Sequence, residues 1–357
     1  MDELDLSLIN ALQIRPRAPW AELAGPLDVD PATLSRRWAR LTETGSAWVT
    51  CYPGPSQLDY GSLALIEVTC EAGTARETAD LLAGDPRALS VEMMSGRRDL
   101  VLTVGASDTA VLVEYVMDRV DRVPGVIGTR TSPVVRNFRE GSRWRLDSLD
   151  PGQRTALDRL RGAASDGQLA GTNDRRLMLA LGEDGRMTYS QLSERTGLPQ
   201  SSVRRRVAQM LGSGRAVLRC DLAHRVAGWP VPAMLWLRVP PGELARTAAE
   251  LHGLPEAKAC FATVGETNLW LTLWLHRLSD LQRVEEEIVR RFPAVQIVDR
   301  AMTMRMVKRM GRLLDGTGRA VGTVPMDLWS PTWPQPAPAA AGAALAADDS
   351  RRAASSA

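Results

Sequence analysis

The chain has 357 residues, 44% hydrophobic and 24% charged, with a formal net charge of +2. That composition supplies several cores and describes a soluble globular protein, while a near-neutral total does not by itself point to nucleic acid. No apolar run approaches the roughly 20 residues needed to span a bilayer, and the acidic opening MDELD is not a signal peptide. The expected location is therefore cytoplasmic.

Asp2 to Leu12 places Leu4, Leu8, Ala11 and Leu12 on one helical stripe. Pro19 to Ala24 reads as a short second helix stopped by GPLDVD. Asp30 then offers an N-cap acceptor and Pro31 occupies the first helical position, where a missing N–H costs nothing. The third helix buries Leu34, Trp38 and Leu41, turns Arg36, Arg37 and Arg40 outward, and ends near Gly45. Three short helices at this spacing make a helix-turn-helix, and SAWVTCY after them reads as a wing or connector.

Residues 62 to 136 change period. SLALIEVTC is strand-like, TARETADLLAG helical, ALSVEMMS and DLVLTVGA are strands around a GRRD turn, TAVLVEYVMDRVDRV is helical, and VIGTRTSPVV is a closing strand. The order βαββαβ predicts a ferredoxin-like sheet with both helices on one face. The other face needs a partner. Residues 139 to 172 read as a linker holding a short helix capped by Asp150 and Pro151.

From Asn173, expected as an N-cap, the whole pattern starts again at an offset of 169 residues. Asp5 matches Asp174, Leu12 matches Leu181, Gly45 matches Gly214, Pro86 matches Pro255, Gly96 matches Gly265 and Pro124 matches Pro293, so the chain is a tandem duplication. In the second recognition helix Val203, Val207 and Met210 form the stripe, and Arg204, Arg205 and Arg206 fan over the remaining circumference. Pro199 stands where Asp30 caps the first copy, so this helix starts less well capped. WPVPAMLWLRV, GELARTAAELHG, KACFATV, NLWLTLWLHR, SDLQRVEEEIVRRF and AVQIVDRAMTM repeat βαββαβ. From about Thr317 Gly, Pro and Ala dominate, which predicts a disordered tail. Residues 173 to 222 hold nine arginines against five acids and residues 1 to 50 hold five against seven, so the second copy carries the basic surface.

The fold class is therefore α+β: two copies of a winged helix-turn-helix plus a βαββαβ ferredoxin-like domain. Expected boundaries are 1–52 and 173–222 for the helix-turn-helix domains, 60–138 and 230–310 for the ferredoxin-like domains, 139–172 for the linker and 317–357 for the tail. The two sheets are expected to pair, within one chain as a pseudo-dimer or between chains as a homo-oligomer.

The third-helix patterns TLSRRWARLTETG and SVRRRVAQMLGSG, with the glycine turns GRRDL and GETNL between the middle strands, resemble the leucine-responsive regulatory protein/AsnC family of bacterial transcriptional regulators. That family usually has one such unit per chain, so the duplicate departs from its pattern. The resemblance implies a sequence-specific DNA-binding regulator modulated by a small effector, often an amino acid. Gln200, Ser201, Ser202, Arg204, Arg205, Arg206 and Arg215, with Thr33, Ser35, Arg36 and Arg37, are the expected contacts to double-stranded DNA. Gly96, Arg97, Arg98 and Asp99, with Gly265 and Asn268, are the expected effector site. Asn268 stands where the family has Asp, so the second turn lacks that charge.

Two other readings stay open. Some proteins resembling this family decarboxylate a sirohaem-type tetrapyrrole, chemistry that would call for histidines and arginines converging on a pocket. The chain has only His224, His252 and His276, unclustered in sequence. The other reading is a ligand sensor that does not bind DNA. No catalytic residue, cofactor or metal is expected: Cys51, Cys70, Cys220 and Cys260 are widely spaced and read as reduced thiols.

Overall fold

The computed structural model describes residues 1–54, 62–139, 144–159 and 171–329. Residues 140–143 and 160–170 of the expected linker, and the expected tail from 330 onward, lie outside the described residues.

The first copy opens with α1 (Glu3–Ile14), α2 (Trp20–Leu27), α3 (Pro31–Glu43) and β1 (Ala47–Pro53). Asp2 and Asp5 close a capping box on α1, and Asp30 accepts from Ala32 N at 2.8 Å to start α3. α2 runs through Pro26 rather than stopping before it, because buried Leu27 anchors the last turn and a proline there removes little of the ladder. Then come β2 (Leu63–Cys70), α4 (Ala75–Ala83), β3 (Ala88–Met94), β4 (Leu100–Gly105), α5 (Thr109–Asp118), the 14-residue β5 (Val126–Arg139) and α6 (Pro151–Arg159).

In the second copy α7 (Thr172–Glu183) starts after Gly171 without a side-chain cap, so Asn173 is inside the helix rather than capping it. α8 (Tyr189–Thr196) has the Thr188–Gln191 capping box and ends on Gly197 at φ +69°. α9 (Gln200–Gly212) begins at Pro199 with no side-chain cap, as its sequence predicts. Following it are β6 (Ala216–Leu222), β7 (Val231–Arg238), α10 (Leu244–Leu251), β8 (Ala257–Thr263), β9 (Leu269–Leu275), α11 (Asp280–Arg291), the 14-residue β10 (Gln296–Arg309), β11 (Arg312–Leu314) and β12 (Ala320–Thr323).

These elements form two compact units. Among the described residues, one holds 1–54, 145–159, 171–223 and 325–327, with both helix-turn-helix copies; the other holds 62–139, 144, 224–324 and 328–329, with both βαββαβ copies.

In the helical unit the strand expected as a wing pairs with its own repeat. β1 and β6 run antiparallel with Thr50 opposite Arg219, residues 169 apart, so a pseudo-two-fold axis passes through that pair. The same symmetry recurs in side chains. Arg17 donates to the Gly185 and Met187 carbonyls at 2.6 and 2.8 Å, and Arg186, its repeat equivalent, donates to the Pro16 and Ala18 carbonyls at 2.7 and 3.0 Å. Each guanidinium also lies over an aromatic ring of the other copy, Arg17 over Tyr189 and Arg186 over Trp20. Burial pushes Arg186 down to about 10.

In the sheet unit the strand order is β3-β4-β2-β5 for the first copy and β8-β9-β7-β10 for the second. Each long strand serves two sheets. β5 pairs with β2 through Pro133 and with β8 from Val134, while β10 pairs with β7 through Met302 and with β3 from Thr303. The junctions are repeats of each other, since Val134–Thr263 and Thr303–Met94 match at the 169-residue offset. The eight strands therefore close a ring, and the two helix-free faces meet inside it around Leu65, Met94, Val101, Met234, Trp236 and Trp270. Alternate residues face the helices, with Ile66, Leu102 and Val104 against Leu82, Leu112 and Tyr115 in one copy and Leu235, Leu271 and Leu273 with Leu251, Val284 and Ile288 in the other.

The expected disordered tail begins too early. Asp315 accepts from the Thr317 and Arg319 backbone N–H groups at 2.8 and 2.9 Å, making the tight turn that lets β12 pair with β11. Leu328, 1% exposed, is packed beside Gly105. Among the described residues no helix is long and apolar enough to cross a membrane.

Candidate nucleic-acid interface and effector cavity

α3 and α9 bury the stripes expected of them: Leu34, Trp38 and Leu41 in one, Val203, Val207 and Met210 in the other. The arginines on the remaining circumference divide into two kinds. Arg37 reaches Asp2 and Asp5 at 2.7 and 2.9 Å, and Arg40 reaches Asp5 at 2.7 Å. Arg206 reaches Asp174 at 2.9 Å, and Arg215, 6% exposed, donates to Ser213 Oγ at 2.8 Å and lies 3.5 Å from Asp174. Asp5 and Asp174 are equivalent, nearly buried carboxylates on α1 and α7, so these arginines tie the first helix of each domain to the third. These ion pairs make Arg37, Arg206 and Arg215 positioning groups within their own domains.

Arg36, Arg204 and Arg205 are exposed and make no ion pair among the described residues, although Arg204 lies 5.2 Å over the Tyr189 ring. Gln200 and Ser201 are exposed beside them, and Thr33, Ser35 and Ser202 are half-buried. The sequence carried the signal that separates the two kinds: an acidic residue inside each first-helix stripe, repeated as Asp5 and Asp174, needs a cation when buried.

The expected effector turns contain structural groups too. Gly96 has φ +89° and Gly265 φ +151°, both in the region that favours glycine. The Asp99 carboxylate accepts from the Cys70 backbone N–H at 2.8 Å. Asn268 accepts from Val239 N at 2.8 Å and returns a bond to the Val239 carbonyl at 2.8 Å. Asp and Asn thus tether the same strand end in the two copies, and the exchange at 268 conserves that role.

Beside the first turn lies a cavity of about 170 Å³ lined by Glu67, Thr69, Arg97, Arg98, Gly128, Thr129 and Arg130. It gathers Arg97 and Arg98 from the expected set; Gly96, Asp99, Gly265 and Asn268 do not line it. Arg98 is 8% exposed, 2.5 Å from both Glu67 and Asp299, with its guanidinium 3.8 Å over the Trp236 ring. Its Nη1 is buried without a hydrogen-bond partner. Burial raises the Glu67 carboxyl, against the lowering effect of Arg98 and Arg130. Arg97 and Arg130 are exposed and form no ion pair among the described residues. Glu67 and Thr69 were the missed signal, polar residues at alternate positions of the apolar strand LALIEVTC. In the second copy the equivalents of Glu67, Arg98 and Arg130 are Trp236, Thr267 and Asp299.

His224 and His276 do come near one another's neighbours. His224 lies 5.4 Å from Trp274, His276 stacks on Trp229 at 3.9 Å, and Trp144 contacts both tryptophans. The space beside His224 is about 10 Å³, room for one water.

The Lrp/AsnC ligand binding domain matches residues 63–144 and 232–313, and the AsnC-type helix-turn-helix domain matches residues 1–42 and 173–211. The chain is 30% identical over 141 residues to the HTH-type transcriptional regulator FL11 of Pyrococcus horikoshii, covering 39% of this chain and 93% of that one. It is 27% identical over 147 residues to the HTH-type transcriptional regulator AldR of Mycolicibacterium smegmatis, covering 40% of this chain and 85% of that one. It is similar in fold to the siroheme decarboxylase NirDL, with TM-score 0.55 and 13% identity over 86% of this chain and 93% of that chain.

Proposed function

From the premise that the chain belongs to the Lrp/AsnC family of transcriptional regulators, we propose that it binds duplex DNA as an intrachain pseudo-dimer and responds to a small effector. The observation that carries this reading is the pseudo-two-fold axis through Thr50 and Arg219, with the reciprocal Arg17 and Arg186 contacts around it. Two helix-turn-helix units related by a dyad are what a dimer offers successive half-sites of an operator. Arg36, Arg204 and Arg205 supply phosphate and base contacts, and Gln200 and Ser201 base contacts.

For the effector, the cavity beside Arg97 and Arg98 is the supported site. Arg97 and Arg130 suit a carboxylate and Glu67 an ammonium group, the pairing an amino acid requires. A ligand that shifts DNA affinity must in turn bind differently when DNA is present.

The test is fluorescence anisotropy of the full chain on DNA from its own upstream region, with and without amino acids, at several salt concentrations. Tight binding should weaken steeply with salt. Binding no tighter to that DNA than to unrelated duplex, at every salt, would remove the regulator reading. The decarboxylase reading rests on likeness of fold, and the small space beside His224 does not favour a macrocycle. An absorbance scan of the chain mixed with a sirohaem-type tetrapyrrole separates the two, since only a tetrapyrrole-binding protein shifts that spectrum.

A further inference from the structure

We propose that the chain reads an operator with two unlike half-sites, one read by α9 through a guanine and adenine contact and the other, less specific, read by α3. The proposal rests on the DNA-binding reading above and deepens it.

A homodimer presents two identical recognition helices, so its operator mirrors its two-fold symmetry. Here the frame keeps that symmetry while the readers have lost it. Thr50 faces Arg219 across the axis, and the Arg17 and Arg186 contacts repeat residue for residue, so α3 and α9 are held as equivalent halves. The buried stripes and the Asp5 and Asp174 anchors are also shared. The outward positions near the helix starts are not.

Position by position at the 169-residue offset, Pro31 of α3 corresponds to Gln200 of α9, Ala32 to Ser201 and Ser35 to Arg204, while Arg36 and Arg205 agree. Gln200, Ser201, Arg204 and Arg205 are all exposed. Arg and Gln make bidentate contacts to guanine and adenine in the major groove, whereas Pro cannot and Ala reaches only a thymine methyl. Internal ion pairs sharpen the difference, because Arg37, Arg40 and Arg206 are held by carboxylates of their own domain. What remains for DNA is Arg36 alone on α3 against Arg204 and Arg205 on α9. Symmetric presentation of unequal side chains yields an operator with a polarity, so the bound chain has one orientation relative to the neighbouring gene.

The test is selection of bound duplexes from a random-sequence pool by the full chain, followed by anisotropy on the recovered site. The expected site has two arms at fixed spacing, with a guanine required in one arm only. Replacing that guanine should weaken binding about tenfold, and changing the corresponding base of the other arm less than about twofold. Arg204→Ser should relax the strong arm and leave the weak arm as it was. Ser35→Arg should create a guanine preference in the weak arm and move the selected site towards a palindrome.

A palindromic site recovered by the native chain would overturn the proposal while leaving the regulator reading intact. So would equal relaxation of both arms by Arg204→Ser, whose exposed side chain makes a folding defect separable by circular dichroism. Enrichment of no sequence at all would overturn both.

Discussion

At the scale of single residues, arginines that look alike in sequence differ in what they touch. Asp174 is 3% exposed and answers both Arg206 and Arg215. Removing one partner of a buried charge cluster leaves the others uncompensated, so Asp174→Ala should cost about 3 kcal/mol in urea denaturation. Arg205→Ala, at an exposed site, should change stability by less than about 0.5 kcal/mol and act on DNA affinity instead, with a shallower salt slope. An equal stability loss for both would contradict the division into positioning and contact arginines. Lys308 offers a second residue-scale case. Fully buried on β10, it donates to the Asp85 carbonyl at 2.7 Å, and burial pushes its ammonium down to about 7 from 10.5. The folded chain therefore gives up this proton more readily than the unfolded chain. Stability should rise with pH between about 7 and 10, and below 7 the cost of the buried charge is present in full. Tyr115, whose hydroxyl burial beside Asp85 raises, acts in the opposite sense above pH 10, where only the unfolded chain ionises. Lys308→Met should flatten the rise, which spans on the order of 4 kcal/mol, in chemical denaturation repeated from pH 6 to 10. An unchanged slope in the variant would place the titration elsewhere.

At the scale of elements, the two hairpin turns carry a test of Asp99 and Asn268. Both side chains accept from the backbone N–H of a neighbouring strand end, so an amide is already tolerated in one copy. Asp99→Asn should cost less than about 0.5 kcal/mol and Asp99→Ala about 1 kcal/mol, the difference being the lost hydrogen bond. If Asp99→Asn abolished effector binding with the fold unchanged, the carboxylate would be a ligand contact after all. The β1–β6 ribbon sets a different expectation. Arg17 and Arg186 each donate two hydrogen bonds across the pseudo-dyad. Replacing both by Ala should raise hydrogen exchange in β1 and β6 and widen the range of half-site spacings the chain accepts. Protection equal to wild type would show that the strand pairing alone holds the two domains.

At the scale of the whole molecule, duplication converts an association between chains into packing within one. The second half of β5 pairs with β8 and that of β10 with β3, each in the other copy, although the end of β10 also pairs with β11, and Trp236, Trp270 and Met234 are buried by the facing sheet. A chain truncated after residue 159 would expose one helix-free face and half of β5. It should therefore appear as a dimer or an aggregate by size-exclusion chromatography. A stable monomer of that half would mean the ring closure is dispensable.

Much of this was legible in sequence, because it depends on local periodicity. The helix-turn-helix, the βαββαβ order and the need for the sheets to pair follow from the spacing of apolar residues and from the 169-residue offset, both independent of what lies across the fold. The cap at Asp30 and the turn at Gly96 follow from single-residue preferences. What tertiary structure alone decided are pairings between residues far apart in the chain. It set Arg37, Arg206 and Arg215 against Asp5 and Asp174, tied the Asp99 carboxylate to the Cys70 backbone N–H beside a cavity lined by Glu67, Arg98 and Arg130, and joined the expected wing β1 to β6. The physical reason is that burial determines which charges must be compensated and which remain for a ligand. Composition counts an arginine the same way in either place, but only the fold brings a carboxylate within 3 Å of one and leaves its neighbour in water.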